Sequence, residues 1–328
     1  MENRELYMQR AIDLSQKGKG MVAPNPMVGA VIVCNDTIIG EGYHPALGQQ
    51  HAEVMALESV PEQDRHLIPN ATMYVTLEPC SHFGRTPPCA DRLIKEEIQH
   101  VVVGTLDPNP LVSGKGVARL RAAGVLVEVG CLEDKVIAAN QEFLHFHREG
   151  LPFIRLKWAE SSDGFIAGPG RTPVHITCHD SDIYVHQMRA DNQAILIGAA
   201  TAISDDPLLT VRHVKGRDPV RIIAGDERPL PKDLRMFNDG GPVITLKTSS
   251  LDYTDAIITR LKELQIISVV VEGGLYTLTQ FIKAGLWNEI YRFTADMPLN
   301  GGIPAPRLSF VPAATHKIGS DRLDIYRK

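Results

Sequence analysis

The residues of this 328-residue chain with the most evident chemistry are His51, Glu53, Cys80 and Cys89. One imidazole and two thiols make three candidate zinc ligands. Three protein ligands leave the fourth tetrahedral position to water, which separates catalytic zinc from closed structural zinc. Glu53, two residues past the imidazole, need not be a ligand and is free to carry protons beside an activated water. That is the chemistry of hydrolytic deamination of a base. Taken singly, each cysteine reads as a buried thiol and the histidine as a satisfied core residue. The set, with the carboxylate in place, is far more specific. A closed structural site would need a fourth ligand. His44 and His82 lie nearest in sequence, and spacing leaves that alternative open.

The flanking patterns say how such a site would be held. A helix is expected over residues 51–58, with His51 at its start and Glu53 in its first turn, where the helix end adds positive potential. Residues 72–77 are β-rich and run into Glu78-Pro79-Cys80, at the strand end where open α/β sheets place their ligands. Eight residues separate Cys80 from Cys89, which opens the next helix. Further elements are expected as a helix over 5–17, a strand over 29–33, a turn at Asn35-Asp36, a return strand over 37–43, and alternating helices and strands to residue 129. A helix over 133–146 follows. This pattern predicts a three-layer α/β domain with a largely parallel sheet. The polar Gly/Pro segment around Gly150 divides residues 1–148 from 149–328. The second part repeats the α/β alternation, with strands over 153–158, 194–198, 220–224, 266–271 and 289–294 and helices over 182–189, 255–264 and 275–284.

Composition bounds the partners. Hydrophobic residues are 44% and charged residues 22%, as in ordinary globular proteins. A net charge of −5 argues against nucleic acid as the partner. No apolar run approaches the roughly 20 residues of a membrane helix, and Met1 to Glu5 carry no apolar signal core, so a cytoplasmic protein is expected. Five scattered cysteines suit a reducing compartment.

Longer motifs carry a resemblance. Asn25-Pro26-Met27-Val28-Gly29, Gly42-Tyr43-His44, His51-Ala52-Glu53, Thr76 through Cys89, Asp107-Pro108-Asn109-Pro110 and Gly114-Lys115-Gly116 resemble the bifunctional riboflavin-biosynthesis deaminase/reductase family. The resemblance implies a cytidine-deaminase-like domain followed by a dihydrofolate-reductase-like α/β domain. It implies that His51, Cys80 and Cys89 hold one zinc ion, that Glu53 shuttles the proton, and that Asn25, His44 and His82 contact the substrate. The substrate implied is a diaminopyrimidinone carrying a ribosyl-phosphate.

Downstream, Lys157, Ser161-Ser162-Asp163-Gly164, Arg189-Ala190, Thr201 through Arg212 and Val271-Glu272-Gly273-Gly274 extend the resemblance. They imply an NADPH site at Ala159, His175, Thr201, Asp205 and Gly274, and a substrate site at Arg189, Leu209, Arg212 and Glu272. Two arginines suit a phosphorylated substrate, because guanidinium binds phosphate bidentately. No Gly-x-Gly-x-x-Gly follows a strand, so a Rossmann domain is not expected. A small-molecule enzyme that forms a homo-oligomer is the expectation. Two alternatives stand at this level: a deaminase with a non-catalytic C-terminal domain, and a zinc-stabilised binding protein without activity.

Overall fold

The computed structural model describes residues 2–328 apart from 82, 84–86, 110–111, 172–173, 226–228 and 250, with the side chains of 2 and 171 left aside. The chain divides into two compact units, Met1–Gly150 and Leu151–Lys328. Among the described residues no helix is long and apolar enough to cross a membrane.

The first unit opens with helix α1 (Glu2–Ser15). The run Gly-Ala-Val-Ile-Val-Cys has no polar position, and it becomes β1 (Gly29–Cys34), buried at every residue. Asn35 and Asp36 sit at φ 48° and 58° and turn the chain into β2 (Thr37–Tyr43). Two consecutive left-handed residues make the hairpin turn that matches strand twist. There follow α2 (Ala52–Ser59), β3 (Thr72–Leu77), α3 (Cys89–Lys95), β4 (His100–Thr105), α4 (Lys115–Ala122), β5 (Leu126–Val129), α5 (Glu133–Ala139) and α6 (Gln141–Glu149).

The sheet order is β2-β1-β3-β4-β5. It is mixed, which corrects the expectation of a largely parallel sheet. β1 runs antiparallel to both β2 and β3, and only the β3–β4 and β4–β5 pairs are parallel. Connection length is the reason: a two-residue turn enforces an antiparallel return, whereas α3 and α4 supply the crossovers that parallel pairs need. Alternate strand residues face opposite sides. Ile32, Met73 and Val101 pack with Ala56, Leu57, Leu93 and Leu120 of α2, α3 and α4. Val31, Tyr74 and Val102 pack with Tyr7, Met8 and Val136 of α1 and α5. Three layers result, as expected. The single helix expected over 133–146 is instead two helices, broken at Asn140 (φ −117°, ψ 27°). Its buried amide accepts from Met27 N and donates to Met27 O, both at 2.8 Å, so the side chain secures the loop that carries Asn25.

The second unit comprises β6 (Phe153–Glu160), β7 (Phe165–Ala167), α7 (His179–Asp191), β8 (Ala194–Gly198), α8 (Ala199–Asp205), β9 (Val220–Gly225), β10 (Val243–Lys247), α9 (Tyr253–Glu263), β11 (Ser268–Gly273), α10 (Leu275–Lys283), β12 (Glu289–Thr294), β13 (Ile303–Pro304), β14 (Ala314–Ile318) and β15 (Asp321–Arg327). Eight strands form one sheet in the order β10-β9-β8-β11-β6-β12-β15-β14, and β7 pairs with β13 in a separate ribbon. The pairings from β10 through β12 are parallel, and β12, β15 and β14 are antiparallel neighbours. Val269 and Val271 face Leu261 and Phe281 of α9 and α10 on one side of β11, while Val270 faces Val185 and Met188 of α7 on the other. The ends of β8, β9 and β11 fall at Gly198, Gly225 and Gly273, on the edge where parallel sheets bind ligands.

Candidate functional site

In the first unit, His51 is the N-cap residue of α2, with extended φ/ψ of −75° and 158°. Its Nδ1 lies 3.2 Å from Cys89 Sγ and 3.6 Å from Cys80 Sγ. The ligand atoms of His51, Cys80 and Cys89 all lie within 4.8 Å of one another, which makes them the one such group among the described residues. Cys89 opens α3, and its backbone N–H donates to Cys80 Sγ at 3.2 Å while Ala90 N donates to the Cys80 carbonyl at 3.1 Å. A helix start thus points one amide at the Cys80 sulfur, which favours thiolate. The hydrogen bond from the Cys89 thiol holds Cys80 down at about 4, with His51 assisting, and the same bond pushes Cys89 up. A doubly charged cation would favour the thiolate form of both sulfurs and displace any proton they hold. Two thiolates and one imidazole are a donor set that fits zinc in softness and cancels its charge.

Glu53 is buried in the first turn of α2. Burial pushes its carboxyl up to about 7 and the negative Cys80 sulfur adds to the rise, while His51 opposes it. His44 is also buried. Its Nδ1 bonds the Gln50 carbonyl at 2.9 Å and its Nε2 meets Asn25 Nδ2 at 3.2 Å. An amide N–H and a carbonyl fix the tautomer: Nδ1 carries the proton and Nε2 accepts. Both ring nitrogens are therefore occupied, and His44 does not join the ligand group, although its ring meets that of His51 edge-on at 5.6 Å. Asn25 and His44 are brought to the site together. His82 lies outside the described residues.

Close backbone contacts position these groups. A Cβ on Gly42 of β2 would fall 2.3 Å from the Ala52 carbonyl oxygen, so β2 lies tight against the first turn of α2. A Cβ on Gly116 would fall 1.9 Å from the Pro79 carbonyl oxygen, so α4 abuts the residue before Cys80. Glu78 is a residue whose role sequence reasoning did not find. Its buried carboxylate accepts four backbone N–H groups: Gly114 and Asp107 on Oε2 at 2.8 and 3.2 Å, Gly116 and Val117 on Oε1 at 2.8 and 3.1 Å. The only sequence signal was an acidic residue at a strand end inside a quoted motif.

In the second unit, a cavity of about 440 Å³ is lined by all the residues named for the reductase, Ala159, His175, Thr201, Asp205, Gly274, Arg189, Leu209, Arg212 and Glu272, and also by Lys157 and His186. Its floor is an ion triad. Arg189 donates through Nε and Nη2 to the two Glu272 oxygens at 2.8 Å, and Lys157 Nζ lies 3.7 Å from Glu272 Oε2. Burial alone would raise Glu272, but Arg189 and Lys157 outweigh it and hold the carboxyl at about 2. Burial lowers Lys157, against the pull of Glu272. Leu209 is buried at φ 58°, and His175 reaches Asp182 at 3.1 Å. The Gly273–Gly274 peptide is cis. A Cβ on Gly274 would stand 2.7 Å from Thr201 Oγ1, so the start of α10 lies against α8 without room for a side chain. A second cavity of about 820 Å³ shares Thr201, Ser204, Gly274 and Leu275 with the first and extends past Gly225, Ser249 and Lys283. An elongated cleft along strand ends and a helix N-terminus suits a dinucleotide, whose phosphates accept from backbone N–H groups.

Thiolate ligands beside a buried carboxylate of raised pKa, and a cationic cleft on a parallel sheet, define a zinc-dependent deaminase joined to a nucleotide-dependent reductase. Comparison with known proteins makes the class particular. Residues 1–105 match the cytidine and deoxycytidylate deaminase zinc-binding region, and residues 152–307 match the RibD C-terminal domain. The riboflavin biosynthesis protein RibD of Aquifex aeolicus is 41% identical over 317 residues, 90% of this chain and 88% of its own length. A solved RibD structure from Acinetobacter baumannii is similar at a TM-score of 0.89, with 35% identity and 99% of each chain covered. The same figures hold for the diaminohydroxyphosphoribosylaminopyrimidine deaminase/5-amino-6-(5-phosphoribosylamino)uracil reductase of Thermotoga maritima. The chain belongs to the RibD family of riboflavin biosynthesis. It is a bifunctional enzyme, a zinc deaminase and an NADPH-dependent reductase, and neither alternative left open by the sequence describes it.

Proposed function

We propose that residues 1–148 deaminate 2,5-diamino-6-(5-phosphoribosylamino)pyrimidin-4(3H)-one and that residues 149–328 then reduce its ribosyl group to ribityl with NADPH. The observation that carries the first step is Glu53, buried and raised to about 7 beside three convergent ligand atoms. A carboxyl with that pKa both accepts and returns a proton near neutral pH. His51, Cys80 and Cys89 hold the zinc, which when bound acidifies a water. Glu53 takes the proton and passes it to the leaving amine nitrogen, so that water enters and ammonia departs. Asn25, His44 and His82 contact the base or its phosphate.

In the second step, the open-chain imine of the ribosylamine gains hydride at C1′ and a proton at nitrogen. Ala159, His175, Thr201, Asp205 and Gly274 bind the cofactor, and Arg189, Leu209, Arg212 and Glu272 the substrate. Lys157, a buried ammonium in the same cavity, supplies the proton in this reading. A cytoplasmic location and a homo-oligomeric assembly belong to the same proposal.

The test is the purified full chain with zinc and the diaminopyrimidinone substrate, with and without NADPH, read by product mass. Without NADPH, ammonia should be released and no cofactor consumed. With NADPH, the product should gain two hydrogens for each cofactor oxidised. Ammonia release that required NADPH, or reduction without deamination as the sole reaction, would overturn the assignment.

A further inference from the structure

His186 is a buried titratable residue that the mechanism above does not use. It lies on α7, one turn before Arg189, and lines the same cavity. Residues three apart share a helix face, so the two side chains project together. His186 Nδ1 accepts the backbone N–H of Arg212 at 2.9 Å. Arg189 Nη1 donates to the Thr210 carbonyl at 3.3 Å. One face of α7 thus pins the segment 210–212 by two hydrogen bonds. The His186 ring also meets His213 edge-on at 4.5 Å, and His213 meets His179 edge-on at 5.3 Å, so edge-to-face rings brace the same segment.

What this segment presents is a cation without an ion-pair partner among the described residues. Among the described residues, the Arg212 guanidinium has only the Thr210 hydroxyl as a hydrogen-bond partner, at 2.9 Å, and no carboxylate within ion-pair distance. Burial and the neighbouring Arg189 and Arg235 charges lower its pKa, against the weaker pull of Asp218 and Asp182. A guanidinium set beside other cations calls for an anion, and bidentate phosphate is its natural match.

We propose that His186 is a positioning residue for the phosphate end of the substrate: as a neutral acceptor for the Arg212 amide it holds that guanidinium in the cavity. The inference rests on the reading that Arg212 binds the substrate. An accepting Nδ1 requires the proton to be on Nε2. Burial, with Arg189 and Arg212 nearby, holds His186 down at about 4, so the ring stays neutral at working pH.

The test is reductase kinetics of the full-length, zinc-loaded enzyme with the phosphorylated ribosylaminouracil and with its dephosphorylated counterpart. H186L removes the acceptor. It should raise KM for the phosphorylated substrate about tenfold. The kcat and the KM for NADPH should stay within about twofold of wild type, so that the preference for phosphate falls by the same factor of about ten. In H186N the amide oxygen stands where Nδ1 stood and should restore the preference. In H186Q the oxygen lies one bond further out and should not, and this pair decides the matter if H186L fails to fold. R212A separates the two readings. If R212A leaves the phosphate preference intact, Arg212 does not bind the phosphate and the underlying assignment fails. If R212A abolishes the preference while H186L or H186Q keeps it, the positioning role of His186 is wrong and that of Arg212 stands.

Discussion

Two buried carboxylates stand at the two sites and are driven in opposite directions. Glu53 is pushed up to about 7 because burial acts on it beside a negative sulfur. The Glu272 side chain is also largely buried, at 8% exposure, yet Arg189 and Lys157 hold it at about 2. The first can exchange a proton near neutral pH, and the second is an anion at any working pH. A proton carrier needs burial with little cationic compensation, whereas a group that fixes the geometry of cations needs the compensation to be complete. In the proposed mechanism the same residue type carries a proton at one site and, at the other, orders the cations of the substrate pocket.

That contrast is most severely tested at Glu53. E53Q should lower the rate of ammonia release by about 10²–10⁴-fold, the usual range for losing a general acid–base group. Zinc content and NADPH oxidation with the deaminated substrate should not change, as metal analysis and a reductase assay would show. Retained ammonia release would remove the distinction between the two carboxylates.

E272Q attacks the other side. It leaves Arg189 and Lys157 buried without their ion-pair partner, and breaking a buried pair in this way costs about 3–5 kcal/mol. Denaturant unfolding of the reductase unit should show the loss, with ammonia release unaffected. The pH dependence has a definite sign. The folded value of Glu272 lies below its ordinary value of 4.5, so its stabilisation is complete above that pH and fades as pH falls toward about 2. Wild type should lose stability across this acid window, and E272Q should lose less.

The smallest effect sharpens how the deaminase site is held. G116A would put a methyl 1.9 Å from the Pro79 carbonyl oxygen. The forced shift should cost about 1–3 kcal/mol. Zinc retention and ammonia release should fall while NADPH oxidation stays at the wild-type rate.

The deaminase site was legible because its groups are chemically rare and close in sequence: His51, Glu53, Cys80 and Cys89 span fewer than forty residues, each beside an element boundary that pattern reading finds. The first sheet was misjudged in direction because strand composition says nothing about pairing, and only the Asn35-Asp36 turn carried that information. Unit two was harder. Its site residues run from Lys157 to Gly274 and meet only because parallel strands end on one edge. The motifs named most of them by resemblance, but Lys157 had no role assigned and His186 none at all, since a histidine in a helix carries no sign of what its ring accepts. The C-terminal hairpin went unseen because Asp-Arg-Leu-Asp-Ile-Tyr-Arg looks solvated. Its Asp324 is in fact buried, bonded to Arg292 at 2.6 Å and Thr315 at 2.7 Å.

Glu78 stands two residues from Cys80, and a carboxylate so near a zinc ligand is a potential rival for the metal. Two carboxylate oxygens offer about four lone-pair sites. Backbone amides from Asp107, Gly114, Gly116 and Val117 fill all four. With no lone pair to spare, Glu78 would have none to offer a cation, which leaves His51, Cys80 and Cys89 as the group placed to hold one.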